Sequence, residues 1–305
     1  MSSSDSPLVS VVMPNLNKGA YVRDAIESVL NQSHQDFELI IVDNGSTDES
    51  LAIAEEYAGN DQRIALLHEP RKGATRATNT GMEHAKGDLI SLLGSDDVYQ
   101  KEKLTKQIEV FRDPGVHVSY TDGWKMDYLG KPTGKIFHRD ITRPLMNQPI
   151  DVGVLGELLK GGFDDLLGSS IMFRRECLQY ATPDPELTFY DDWDFWVRLA
   201  RRFRFGYVPE PLYGYRVYAG NSWADLNHDS LLEAELVIYK KWLKGLDGLD
   251  RESRKYIVQN ECKCYLHLHS RSALLRLALR NNEAGSFLSK RLASSLARRA
   301  KGVFQ

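Results

Sequence analysis

The feature that most constrains this chain is an alternation in its first hundred residues between short, almost uninterrupted apolar runs and segments of helical period. Leu8–Met13, Phe37–Val42, Ile64–Leu67 and Leu89–Leu93 are the apolar runs, and runs so short and so apolar predict strands buried on both faces. Tyr21–Asn31, Asp48–Tyr57 and Thr75–Ala85 lie between them. In the first of these, Val22, Ile26, Val29 and Leu30 recur at i, i+4, i+7 and i+8, the stripe of an amphipathic helix. The order β-α-β-α-β-α-β calls for right-handed crossovers and a parallel sheet covered on both faces. Open sheets of this kind bind ligands beyond the carboxyl ends of their strands.

With 305 residues, 42% hydrophobic and 27% charged, the chain can form one large α/β domain and a smaller appendage. Its apolar runs fall far short of the roughly 20 residues of a spanning helix. The N-terminus has no basic flank, and its first apolar segment breaks at Pro14, so neither a signal peptide nor a membrane span is expected and the location is expected to be cytoplasmic. Cys177, Cys262 and Cys264 form an odd set without Cys-x-x-Cys, which fits reduced thiols. The run from Cys262 to His269 matches no standard zinc spacing. A net charge of −3 argues against a nucleic-acid partner.

Beyond the first hundred residues the pattern loosens. Val116 to Arg175 reads as loops and hairpins, with Asp127–Asp165 the expected seat of specificity. A helix follows over Asp191–Phe203, with Trp193, Trp196, Val197 and Ala200 on one face, then a short extended piece after Pro209 and Pro211. From about Asp225 the chain reads as helical. From Arg271 onward there are eight basic residues against one acid, Glu283. Within that tail Ser286–Phe304 reads as a basic amphipathic helix, suited either to an anionic membrane surface or to packing on its neighbours.

Three polar clusters fall where chemistry is expected. Pro14, Asn15 and Asn17 follow the first strand, and Asp43 to Asp48 follow the second; the latter also suits a turn and helix cap. Asp96 and Asp97 follow the fourth strand. Adjacent carboxylates repel, and a hard divalent cation such as Mg²⁺ or Mn²⁺ relieves the repulsion while sharing phosphate oxygens; a solvated cap on a helix over Tyr99–Phe111 is the alternative. Asp191 and Asp192 open an aromatic-faced helix, either as general-base candidates or as ordinary first-turn acids over a tryptophan core. Arg76 lies near the same edge, as a phosphate contact or a solvated helix arginine.

Taken together, Ser10 to Lys18, Ala25 to Ser33, Phe37 to Ser50, Gly73 to Gly81, Ala85 to Asp88, Ser95-Asp96-Asp97, Glu102-Lys103-Leu104, Gly168-Ser169-Ser170, Asp191 to Arg198, and Pro209 to Leu212 through Tyr215-Arg216 resemble family 2 glycosyltransferases. These are inverting enzymes of the GT-A fold that use nucleotide-diphosphate sugars. The resemblance implies an α/β, GT-A-like, mostly parallel sheet flanked by helices. A Rossmann-like nucleotide-binding half is expected at about 7–115, an acceptor half at about 116–224, and a helical subdomain at 225–305. It further implies that Pro14, Asn15, Asn17, Asp43 and Asn44 cradle the nucleotide, with Arg76 at the same edge, that Asp96 meets ribose or diphosphate, and that Asp97 holds Mn²⁺ or Mg²⁺. Asp192 is implied as the catalytic base, with Asp191 and Trp193 toward the acceptor. The expected donor is a UDP-sugar, with GDP- or dTDP-sugars as alternatives. The expected acceptor is a glycan or lipid-linked hydroxyl, in cell-surface polysaccharide or glycoconjugate synthesis, with peripheral contact at the inner face of the membrane.

Three positions depart from the family pattern. Gly94 replaces the first acid of Asp-x-Asp, Asn44 replaces the second acid of Asp-Asp-Gly-Ser, and a position near Tyr218, after Tyr-Arg-Val, lacks the histidine frequent there. The first and last predict weak metal affinity without nucleotide. Gly94 also keeps open a noncatalytic carbohydrate-binding or scaffold protein of the same fold. A dinucleotide oxidoreductase is disfavoured, because no Gly-x-Gly-x-x-Gly follows the first strand.

Overall fold

The apolar runs of the first hundred residues become four adjacent strands. β1 (Val9–Asn15), β2 (Phe37–Asp43), β3 (Ile64–His68) and β4 (Leu89–Leu92) lie in the order β3-β2-β1-β4, and all three pairings are parallel. The computed structural model describes residues 6–136, 168–187, 189–219, 228–245, 251–268, 270–282 and 284–290. α1 (Val22–Leu30), α2 (Ser50–Asn60) and α3 (Ala74–His84) alternate with the strands. α1 buries Val22, Ala25, Ile26 and Val29 against a core that includes Val11, Met13, Leu39 and Ile41. α3 reaches the sheet through Gly81, where a Cβ would overlap Val12 Cγ1 and stand 3.1 Å from Val42 Cγ2.

The sheet continues through β5 (Val98–Tyr99), β6 (Val116–Met126), β7 (Pro132–Ile136), β8 (Met172–Arg174) and β9 (Arg204–Arg216), in the order β4-β8-β6-β9-β5 with β7 also beside β6. β8 runs antiparallel to both β4 and β6, whereas β6 and β9 are parallel. The first half is therefore a uniform parallel ladder and the second half is mixed, because β8 enters beside β4 in the opposite sense. Sequence patterning reads loops over much of this second half, where the structure has an 11-residue β6 and a 13-residue β9. The two prolines of β9 mask it. Opposite them the register jumps from Thr121↔Val208 to Asp122↔Pro211, and such a bulge accommodates residues that lack an amide donor. The helix expected over Tyr99–Phe111 is likewise split into β5 and α4 (Lys103–Val110). Most of the Asp127–Asp165 specificity loop and, beyond Lys290, most of the helix expected over Ser286–Phe304 lie outside the described residues.

α5 (Asp191–Ala200) buries Trp193, Phe195, Trp196, Val197 and Leu199. Asp194, fully buried on the same helix, pairs with Arg198 Nε at 2.8 Å. By contacts the chain forms one compact unit over Met1–Leu187 and Asp191–Ala224, and a second over Thr188–Tyr190 and Asp225–Gln305. The second unit contains α6 (His228–Gly245), α7 (Arg251–His267) and α8 (Arg271–Arg280). Its core joins Val258, Cys262, Leu274 and Ala284. Burial pushes the Cys262 and Cys264 thiols up to about 11 and about 12, so they stay protonated and are poor metal ligands. Among the described residues no helix is long and apolar enough to cross a membrane.

The close approach at Gly81 gives a direct test of this packing. Gly81→Ala is expected to cost about 1–3 kcal/mol through overpacking against Val12, measured by urea denaturation; an unchanged midpoint would contradict the contact.

Candidate active site

At the carboxyl ends of β1, β2 and β4 the first unit holds a cavity of about 560 Å³. Pro14, Asn15 and Asn17 enter it from the end of β1, Asn44 from β2, Asp96 and Asp97 from the turn after β4, and Asp191 and Asp192 from the first turn of α5. A larger cavity, about 740 Å³, lies beside the amino ends of β1 and β4 and is lined by Pro7, Asp88 and Arg175. Topology favours the former.

The β1 and β2 ends are locked together by side chains. Asn15 Nδ2 donates to Asp43 Oδ1 at 3.3 Å and Ser50 Oγ at 3.0 Å, while Asp43 Oδ2 accepts the Gly45 and Ser46 amides at 3.0 and 3.1 Å. Asn17, in the left-handed region at φ 53, accepts the Thr47 amide at 2.7 Å. Asn44 is 3% exposed, and its amide is fully used. Nδ2 donates to Glu69 O at 2.8 Å and Arg71 O at 2.9 Å, and Oδ1 accepts from the Gly73 amide at 2.8 Å. A carboxylate could make only the last of these. Asn44 therefore staples the loop that leads into α3, a role that the sequence pattern alone does not reveal. Asp43, fully buried, supports this wall from behind.

Asp96 and Asp97 form the most polarised part of the cavity. Asp96 Oδ2 lies 3.0 Å from Lys18 Nζ and accepts the Tyr218 hydroxyl at 2.7 Å; Lys18 also donates to that hydroxyl. Asp97 Oδ2 accepts from Ser169 Oγ at 2.6 Å, and Oδ1 accepts the Arg216 amide at 3.0 Å. Arg216, only 1% exposed, braces the pair from the end of β9. Its Nε donates to Asp96 O at 2.8 Å, its Nη1 to Tyr128 O at 3.1 Å, and its Nη2 to Asp24 Oδ2 at 2.9 Å. Burial, reinforced by the neighbouring Asp96 charge, pushes the Asp97 carboxyl up to about 8. Lys18, Ser169 and Arg216 lie in segments that carry the family resemblance and Tyr218 just after one, but the sequence does not mark them as partners of the two acids. A lone arginine closing the apolar β9 was the available signal.

On the α5 side, Thr75 Oγ1 donates to Asp191 Oδ2 at 2.7 Å. Asp192 Oδ1 accepts the Trp193 amide at 2.7 Å. Burial, then the Asp191 charge, raises Asp192 to about 7, and burial also raises Asp191. Trp193, 6% exposed, and Arg76, paired with Glu186 Oε1 at 3.0 Å, are not part of the cavity lining.

The donor set suits a hard cation shared with a ligand. Among the described residues no group of three or more His, Cys, Asp or Glu side chains converges. Two carboxylates stand beside Gly94, whose missing side chain leaves room there: a Cβ would lie 3.1 Å from Asp96 Oδ1 and 3.2 Å from Asp97 Oδ2. Such a site needs phosphate or water oxygens to complete coordination.

Residues 10–178 match the family described as Glycosyl transferase family 2. The chain belongs to that family. Among its relatives is TuaG of Bacillus subtilis (strain 168), named as a glycosyltransferase of teichuronic acid biosynthesis, at 40% identity over 133 residues, 43% of this chain and 53% of TuaG. EpsH of the same organism, named as a glycosyltransferase, is 29% identical over 279 residues, 89% of this chain and 77% of EpsH. The chain thus spans about half the length of TuaG and 41% of a Haemophilus influenzae relative. The fold matches Staphylococcus aureus TarS in complex with UDP-GlcNAc, with TM-score 0.64 at 17% identity over 88% of this chain and 75% of that one. It also matches the Pyrobaculum calidifontis mannosyltransferase PcManGT in complex with GDP-Man and Mn²⁺, with TM-score 0.59 at 18% identity over 98% and 80%. The family 2 chain therefore has the GT-A glycosyltransferase architecture.

Two outcomes follow from this geometry. Asn44→Asp sets a carboxylate against two carbonyl oxygens and is expected to cost about 1–3 kcal/mol, read by denaturation. The raised Asp97 and Asp192 carboxyls favour the folded state when protonated, so their support is full below about pH 4 and is lost as pH rises to about 8. Without divalent cations the melting temperature should fall between pH 5 and 8, and Asp97→Asn and Asp192→Asn should each flatten that fall.

Proposed function

We propose that this family 2 chain transfers a sugar from a nucleotide-diphosphate donor to a hydroxyl of a glycan or lipid-linked acceptor, with inversion, in cell-surface polysaccharide or glycoconjugate synthesis. The observation that carries this reading is the convergence of two acid pairs, Asp96–Asp97 and Asp191–Asp192, on one cavity at the strand ends. One pair is braced by cations and hydroxyls, and the other opens a helix. That division suits one site for the leaving group and another for the attacking group.

Asp192 takes the proton of the acceptor hydroxyl while that oxygen bonds to the anomeric carbon, and the bond from that carbon to the diphosphate oxygen breaks. A base held near pH 7 is matched to this task. Single displacement from the opposite face inverts the centre. Asp191, fixed by Thr75, orients the acceptor, with Trp193 supporting the helix behind it. Pro14, Asn15 and Asn17 form the nucleotide wall, Asp43 and Asn44 hold it in shape, and Asp96 meets the ribose or diphosphate. Arg76 reaches phosphate only by leaving Glu186. Mn²⁺ or Mg²⁺ on Asp97 would neutralise charge on the departing nucleoside diphosphate. UDP-sugars are the first donors to test, since one solved relative holds UDP-GlcNAc and another GDP-Man.

The second unit supports peripheral membrane contact. α8 exposes Leu275 at 62% and Leu279 at 78%, four residues apart, within the tail that carries eight basic residues and one acid. Each basic residue near an anionic surface contributes about 1 kcal/mol. Binding to vesicles with anionic lipid, but not to zwitterionic ones, is expected and should weaken in a Leu275→Ser, Leu279→Ser variant. The proposed location is therefore the cytoplasm, with peripheral contact at the inner face of the membrane.

Asp192→Asn should keep UDP binding and lower transfer by about 10²–10⁴, with the product anomer read by NMR. Retained transfer would remove Asp192 as base. Nucleotide binding by the wild type without transfer from any donor would favour the noncatalytic reading that Gly94 keeps open.

A further inference from the structure

Lys103 is fully buried at the start of α4, and among the described residues its ammonium has no acid partner. Burial without a counter-charge is costly, so this lysine calls for an explanation. Its Nζ donates to Gln107 Oε1 at 2.6 Å and to Ser91 Oγ at 3.2 Å, and it sits 4.1 Å from the centre of the Tyr99 ring. Both hydrogen-bond partners lead to the same place. With Oε1 occupied by the lysine, the Gln107 amide is fixed in one orientation, and its Nε2 donates to Ser170 O at 3.0 Å and Ser119 O at 3.1 Å. Ser91 Oγ donates to Ile171 O at 3.2 Å. The two carbonyls belong to Ser170 and Ile171, directly after Ser169. Ser169 Oγ, in turn, accepts the Gly94 amide at 3.1 Å and donates to Asp97 Oδ2 at 2.6 Å.

We propose that Lys103 and Gln107 are positioning residues: through Ser170 and Ile171 they hold the Gly168–Ser170 turn so that Ser169 fixes the Asp97 carboxylate for the cation and diphosphate. This rests on the donor-site reading above. The lysine serves as an oriented donor. A buried apolar residue of equal length would fill the space but leave Gln107 free to turn its amide and place Oε1 against the Ser170 carbonyl.

The test measures UDP binding by calorimetry with and without Mn²⁺, alongside hydrogen exchange of the ligand-free protein. Lys103→Met and Ser169→Ala are each expected to weaken Mn²⁺-dependent UDP binding at least tenfold, and the double variant should be no weaker than the worse single one. In Lys103→Met, exchange should quicken in peptides over residues 91–97 and 168–174 and stay unchanged over β2 and α1. Gln107→Glu keeps the lysine partnered but turns a carboxylate on Ser170 O, so it should reproduce the loss if Lys103→Met does not fold. Unchanged UDP affinity in folded Lys103→Met or Gln107→Glu would overturn the proposal, as would additive losses in the double variant or exchange quickened evenly across the unit. A wild type that binds neither UDP nor GDP with Mn²⁺ would overturn the donor-site reading and this proposal together. A wild type that binds while the variants bind equally well would overturn this proposal alone.

Discussion

Two adjacent carboxylates in a turn beyond a fully buried strand set the terms for the rest of the structure. Like charges at such range, largely removed from water, raise the cost of ionisation, and Asp97 is shifted upward accordingly. The fold brings three separate segments to bear on that cost. Lys18 arrives from the β1 loop, Ser169 from the turn before β8, and Arg216 and Tyr218 from the end of β9. Ser169, Arg216 and Tyr218 arrive because the mixed half of the sheet folds back beside β4. The parallel half alone would present the acids with Lys18 but without Ser169, Arg216 and Tyr218. In the proposed reading, what the partners leave uncompensated is what a cation and a phosphate would answer.

The wall proposed for the nucleotide follows a different design. Asn15, Asn17, Asp43 and Asn44 spend their polar atoms mainly on one another and on the backbone of the β2 and Gly73 loops. They fix loop shape before any ligand arrives, and preorganised loops spare a ligand the entropy of ordering them. The acid pairs carry the charge and the asparagines carry the form. Exchanging Asn44 for the acid more usual in the family would disturb the form without adding useful charge.

Much of this was legible in the sequence, for identifiable reasons. Strands buried on both faces leave uninterrupted apolar runs, so β1 to β4 could be read directly, and polar clusters after them marked the cavity edge. β9 could not be read that way, because Pro209 and Pro211 signal a break where the structure uses a bulge. The loop-holding bonds of Asn44 were not legible, because its partners in Glu69, Arg71 and Gly73 are backbone groups of the next loop. Arg216 was invisible as a network member, since the partners of its guanidinium lie scores of residues away and most are backbone carbonyls, and Lys103 was invisible because its near partners Gln107 and Ser91 connect it to a turn more than sixty residues on. Long-range pairing of this sort is a property of the sheet order, which local pattern does not encode.

In the reading proposed above Asp97, whose carboxyl is raised by burial and by the Asp96 charge, loses a proton to solvent when a cation binds together with a nucleoside diphosphate. Calorimetry of UDP binding with Mn²⁺ at pH 7, repeated in buffers of different ionisation enthalpy, measures that proton directly. The account predicts a net release approaching one proton in the wild type, absent in Asp97→Asn. Tight Mn²⁺-dependent binding with no proton release would contradict it.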